Sequence, residues 1–68
     1  MRNSYDYTSA LIAIQSAIYR EQGVRTDVHY REGYGALIVP EGAPLTPANV
    51  IAVIDEMELE ILALTRVI

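Results

Sequence analysis

The chain contains no cysteine, so no disulfide can cross-link it and no cysteine-based zinc site can form. It has no lysine and a single histidine, His29, which excludes a site built from several histidines. Its net charge of −4 argues against nucleic-acid binding, because phosphate contacts need clustered basic side chains. No apolar run approaches the roughly 18 residues of a membrane span, and no signal peptide is visible. We expect a cytoplasmic protein that binds neither nucleic acid nor membrane and uses no metal or cofactor.

Apolar side chains, by contrast, are abundant, since 51% of the 68 residues are hydrophobic. A chain of this length forms one domain, residues 1–68, near the lower limit for independent folding. Ordering costs roughly 1.5 kcal/mol per residue, so the burial available within one copy leaves the fold marginally stable. The apolar excess is more than a small monomer hides, and we therefore expect a homodimer.

The first half of the chain predicts a helix followed by a hairpin. Residues 1–7 form a loose lead-in, and a helix capped by Asp6, Thr8 or Ser9 ends at Gly23. Residues 24–31 alternate as a strand with one wet face, residues 32–35 turn, and residues 36–39 return as the second strand. A two-stranded hairpin needs helices on one face, and it leaves a strand edge open. The apolar face of the helix consists of Tyr7, Ala10, Leu11, Ile14, Ala17 and Ile18.

The second half predicts one long helix. Thr46 and Pro47 are typical of an N-cap and a first helical position, and the apolar pattern continues from Ala48 to Ile68. No glycine or proline interrupts it, which favours a straight helix with a second contact face over a bend near Asp55–Glu58. The predicted core stripe is Val50, Val53, Ile54, Met57, Ile61, Leu64 and Ile68; the second face, a candidate dimer interface, is Ile51, Leu59 and Leu62. The expected fold is a small α+β domain in the order α-β-β-α, with the hairpin packed on two helices.

Two charged groups are candidate binding surfaces. Arg25, His29, Arg31 and Tyr34 form a basic ridge beside the hairpin edge, where an extended peptide bearing carboxylates could add as a strand; the alternative is a solvated strand face. His29 has no cleft in which to act as a base, so we expect no enzyme activity. The acidic residues of the last helix lie along one element and do not converge on a metal, so they form either a solvated surface or a contact for a basic partner. These are Asp55, Glu56, Glu58 and Glu60.

A set of short motifs is spread over most of the chain. They are Leu11 and Ile14, Gly23-Val24, Leu37–Val39, the Pro-Leu-Thr-Pro run 44–47 and Glu60-Ile-Leu-Ala-Leu64. With these motifs, the order of elements resembles the TubC-type N-terminal docking domain of modular nonribosomal peptide synthetases. The resemblance implies a homodimeric module that captures the tail of an upstream synthetase at the hairpin edge, with Arg25, His29 and Arg31 as matching basic residues.

The predicted function is therefore a non-enzymatic protein-interaction module that binds a protein or peptide. The alternative is a free-standing small acidic inhibitor or regulator, of a phage or mobile-element type, whose acidic face blocks a basic surface of a host protein complex such as a defence or enzyme complex. Short length, acidity and the lack of catalytic groups suit this alternative.

Overall fold

The computed structural model describes residues 7–67 as two helices and a three-stranded antiparallel sheet in the order β1-β2-β3. Its elements are α1 Tyr7–Gln22, β1 Thr26–Arg31, β2 Gly35–Pro40, a 3-10 turn Pro47–Asn49, β3 Ala52–Asp55 and α2 Glu56–Val67. The α+β class is confirmed, with one strand more than predicted. The lead-in 1–6, the candidate cap Asp6 and the stripe residue Ile68 lie outside the described residues. No helix within residues 7–67 is long and apolar enough to cross a membrane.

Helix α1 follows the sequence prediction over most of its length, but Tyr7 is its first residue rather than part of a lead-in. The predicted caps Thr8 and Ser9 are therefore wrong, since both lie inside the helix. Ala10 and Ile18 are buried, as expected for the predicted apolar face. Gly23 ends the helix with a φ of 71°, and its N–H donates to the Tyr19 carbonyl oxygen at 2.9 Å. A positive φ at the residue after a helix is the conformation that glycine adopts without strain.

The hairpin is also confirmed. Strands β1 and β2 pair antiparallel with Val28 opposite Ile38 and His29 opposite Leu37. The Tyr34 N–H donates to the Arg31 carbonyl oxygen at 3.0 Å and closes the predicted turn.

The single long helix predicted after Pro47 is wrong. Thr46 makes no side-chain capping bond, and the 3-10 turn that follows it ends at Asn49. The chain then extends, and β3 pairs with β2 along residues 35–38. Four of the five residues 50–54 are β-branched and suit a strand, where their stiff side chains pack well.

Helix α2 begins where the alternative hypothesis placed a bend. The Asp55 carboxylate accepts a hydrogen bond from the Glu58 N–H at 2.8 Å, so Asp55 is the N-cap. Asp55 and Glu58 are three residues apart, the spacing of a capping-box signature. The helix therefore begins at Glu56 and is neither a straight nor a bent continuation of residues 48–54.

The predicted core stripe is wrong for Val53 and for its members on α2, because the strand between residues 52 and 55 resets the helical phase; Ile54 alone is confirmed to pack against the core. Met57, Ile61 and Leu64 are exposed, as is Val53 on β3. Instead, Leu59 and Ala63 are fully buried, and they pack with Ala10 of α1 and Ile54 of β3. The two helices thus cover one face of the sheet and leave the opposite face to shorter elements.

Candidate functional site: the outer face of the sheet

The sheet face away from the helices carries one row of side chains across all three strands. His29 is opposite Leu37 in the β1–β2 ladder, and Leu37 is opposite Val53 in the β2–β3 ladder. Residues opposite one another in a ladder direct their side chains to the same face. A basic residue at one end and two apolar residues therefore lie side by side.

This row lines a groove, which we call the outer-face groove. Leu37, Leu45 and Val53 form its floor and are shared by two adjoining cavities of about 510 and 540 Å³. The first cavity is bounded at the turn end of the hairpin by His29, Arg31 and Tyr34, and the second by the chain after Leu45. Val53 is 64% exposed, so the floor is open to solvent. The groove thus combines apolar surface with basic side chains at one end.

The close approach of β3 to β2, which forms the floor of the groove, requires a glycine at position 35. Its φ is 121°, and a Cβ added there would collide with the Ile54 carbonyl oxygen and lie 2.7 Å from the Cα of Asp55. Only a residue without a side chain allows β3 to approach β2 this closely. Gly35 therefore fixes the position of Val53 beside Leu37.

Of the four residues predicted to form a basic ridge, His29, Arg31 and Tyr34 line one cavity. Arg25 is elsewhere: its guanidinium lies 5.4 Å from the centre of the Tyr19 ring. It lines a different cleft, of about 360 Å³, between α1 and the start of β1. Six residue steps separate Arg25 from Arg31, about 20 Å along an extended strand. They do not form one continuous ridge.

The outer edge of β1 has no strand paired to it among the described residues. Arg25 accepts a hydrogen bond from the Glu41 N–H, so odd-numbered residues of β1 bond to β2. The backbone groups of the even-numbered Val28 and Tyr30 therefore point outward. At one end of the edge, the Thr26 carbonyl oxygen accepts a hydrogen bond from Gln15 Nε2 at 2.7 Å. The predicted edge for strand addition is thus limited to the stretch around Val28 and Tyr30.

Two of the acidic residues at the start of α2 accept hydrogen bonds from groups of the same chain. Asp55 is the N-cap, and Glu56 Oε2 accepts a hydrogen bond from the Tyr30 hydroxyl at 3.1 Å. Carboxylates in the first turn also stabilise the positive end of the helix dipole. Over residues 7–67, no three histidine or acidic side chains are arranged to hold a metal ion.

The phenol of Tyr30 loses its proton at a higher pH than an ordinary tyrosine does. Removal from water, followed by the hydrogen bond to the Glu56 carboxylate and its negative charge, raises the pKa of Tyr30 from 10.0 to about 12. The folded state thus keeps the proton that the unfolded chain loses near pH 10, and the stabilisation is complete below that pH. We predict that stability falls as the pH rises from 10 to about 12.

An ultraviolet titration of phenolate absorbance checks this prediction. One tyrosine should titrate near pH 12, and Tyr30→Phe should remove that step. Tyr34→Phe, at an exposed tyrosine of the turn, is the matched control and should leave the step in place. A step that survives in Tyr30→Phe would contradict the assignment.

The three residues predicted to form a dimer interface lie in different surroundings. Leu59 is buried in the core of the chain itself, so its expected exposure on a second helix face is wrong. Ile51 is half-buried and precedes β3, whereas Leu62 is exposed on α2. A role for Ile51 and Leu62 in dimerisation stays a prediction.

Sequence reasoning missed Leu45 and Val53. The β-branched residues among positions 50–54 are the signal that could have favoured a strand at Val53. No local pattern brings Leu45 to the same groove. Comparisons of the chain with known protein families, with curated proteins and with solved structures give no match.

Proposed function

We propose that this protein is a non-enzymatic interaction module, similar in role to a docking domain, which captures a short acidic peptide segment of a partner in the outer-face groove. The observation that carries the proposal is the position of His29 and Arg31 beside the apolar floor of the groove. The peptide contributes an apolar side chain to the floor and a carboxylate to the basic end.

The two parts of the contact have different roles. An apolar side chain that becomes fully buried contributes roughly 1.5–3 kcal/mol, which supplies affinity without much sequence preference. A carboxylate bonded to the guanidinium of Arg31 forms short, charge-assisted hydrogen bonds with defined directions. The arginine therefore provides the preference for an acidic sequence.

Strand addition at the edge of β1 is the other way in which the hairpin could hold a peptide. A peptide that pairs with Val28 and Tyr30 and continues, without pairing, past the occupied Thr26 carbonyl oxygen would meet Arg25 at one end and Arg31 at the other. A peptide in the groove meets Arg31 and not Arg25. The two arginines thus distinguish the two modes.

A combinatorial peptide display library selected on the purified chain tests the proposal. We expect enriched sequences with an aspartate or glutamate within a few residues of a leucine, isoleucine or phenylalanine. Arg31→Glu should weaken binding of these peptides at least about tenfold, equivalent to about 1.4 kcal/mol, because a charge of the wrong sign then meets the carboxylate. Arg25→Glu, the matched control, should change affinity less than about twofold.

Equal losses in both variants would point to the β1 edge instead of the groove. The proposal is overturned if no sequence is enriched, or if the selected peptides bind both variants as well as the original chain. Circular dichroism of each variant shows whether its fold is kept.

The alternative prediction, an acidic inhibitor of a basic surface, needs Asp55, Glu56, Glu58 and Glu60 to meet a partner. Asp55 and Glu56 already serve the cap of α2 and the Tyr30 hydroxyl. Nothing in the geometry favours that function over peptide capture, and it stays a prediction.

A further inference from the structure

Helix α2 carries a second apolar stripe that the core does not use. Met57, Ile61 and Leu64 follow one another at intervals of four and three residues, the spacing of a coiled-coil seam. Their exposed fractions are 70%, 57% and 44%. We call these three residues the α2 seam.

The α2 seam faces away from the rest of the chain. With 3.6 residues per turn, its centre lies about 150° around the helix from the direction of the buried Leu59 and Ala63. Helix α2 is thus apolar on two nearly opposite sides. Burial within the described chain accounts for one of them only.

The charges beside the seam restrict what can cover it. Glu58 and Glu60 flank it on its two sides, both near the start of the helix, while Thr65 lies beside its other end. An acidic partner is repelled by the two glutamates. A second copy in parallel orientation is disfavoured as well, because it brings like charges and like dipole ends together.

A second copy in antiparallel orientation meets neither objection. Each glutamate-bearing half then lies against the Thr65 half of the other helix, and the two dipoles oppose one another. A stripe with 4-3 spacing is also complementary to itself about a two-fold axis. We propose that the protein forms a two-fold symmetric dimer by antiparallel pairing of the α2 seams.

In this dimer the two-fold axis passes between Ile61 and Leu64. Ile61 of each copy lies against Leu64 of the other copy, and the two Met57 residues lie at opposite ends. Eleven residue steps of 1.5 Å then separate the two Met57 positions by about 16 Å along the axis. The groove on the outer face of the sheet remains open, because α2 covers the other face.

The molar mass in solution tests the existence of the dimer. By light scattering or sedimentation, the original chain should reach twice its 7.6 kDa mass as concentration rises, and Ile61→Gln should stay at 7.6 kDa. Ile12→Gln is the matched control, since Ile12 is 55% exposed on α1, and it should dimerise like the original chain. A monomeric original chain, or an Ile61→Gln variant that still dimerises, overturns the proposal.

Single cysteines test the orientation, and the absence of native cysteine makes the result unambiguous. Under oxidation, Ile61→Cys should give disulfide-linked dimers because its two copies lie near the two-fold axis. Met57→Cys should not, since about 16 Å exceeds the roughly 7 Å between Cα atoms that a disulfide spans. Linkage through Met57→Cys would overturn the antiparallel arrangement.

The dimer and the peptide site can fail separately. Ile61→Gln should lose the dimer and keep its affinity for library-selected peptides, whereas Arg31→Glu should lose the peptides and keep the dimer. Loss of both properties in Ile61→Gln would contradict their independence.

Discussion

Gly35→Ala is expected to remove a large part of the stability of the fold. The added methyl group would collide with the Ile54 carbonyl oxygen and lie 2.7 and 2.9 Å from the Cα and carbonyl carbon of Asp55. Those atoms are backbone, and they are held in place because Ile54 packs against the core and Asp55 caps α2. The clash is relieved only if β3 separates from β2. We expect a loss of about 3 kcal/mol or more, where a chain of this size has roughly 3–10 kcal/mol in total.

Gly33→Ala in the same hairpin turn is the matched control. Its φ of 87° also disfavours a side chain, but a Cβ there meets nothing within 4 Å. Its cost should therefore be the backbone strain alone, on the order of 1–2 kcal/mol. Urea unfolding followed by far-ultraviolet circular dichroism compares the two variants. Equal losses would show that strain, and not the approach of β3, is what requires glycine at position 35.

The parts of the fold that could be predicted are those in which a local pattern is long and unambiguous. Helix α1 shows a complete apolar face and a glycine at its end, and β1 alternates over its whole length before a turn with two glycines. Each of these patterns is compatible with only one type of secondary structure, so the sequence alone predicts it. The hairpin also explains why His29, Arg31 and Tyr34 could be grouped from the sequence, since one turn connects them.

Residues 47–67 could not be predicted in the same way, because two local patterns conflict there. Thr46-Pro47 has the sequence of a helix start but begins only a short 3-10 turn, and the β-branched residues that follow gain more from pairing with β2. A short apolar run fits a helix or a strand equally well, and pairing with a distant strand decides between them. The Asp55–Glu58 spacing was the one local sign that a new helix begins at Glu56.

The floor of the groove depends on the same distant pairing. Val53 joins Leu37 only because β3 adds to β2, and Leu45 reaches them from a loop without regular structure. Arg25 follows the same alternation as Arg31, but the corner between α1 and β1 carries it to Tyr19. Spacing along a strand predicts which face a residue occupies, and not which neighbours from other elements it meets.

Leu59→Ala should be strongly destabilising, while the same substitution at Leu64 should be nearly neutral. Leu59 is completely buried between the two helices and the sheet, whereas Leu64 is 44% exposed. Removing a fully buried leucine side chain costs about 2–5 kcal/mol, from lost burial and from the cavity left behind. A surface substitution usually changes stability by no more than about 0.5 kcal/mol.

The pair is well matched because both changes are leucine to alanine within one helix, so the difference in helix propensity cancels. Urea unfolding should be measured in dilute protein, where pairing of the α2 seams contributes least. A larger loss for Leu64→Ala would mean that α2 turns the face 57, 61 and 64 to the core, as the uninterrupted helical pattern predicts. The start of α2 at Glu56 sets which face of the helix packs against the core. Comparing the stability losses of Leu59→Ala and Leu64→Ala tests which face that is.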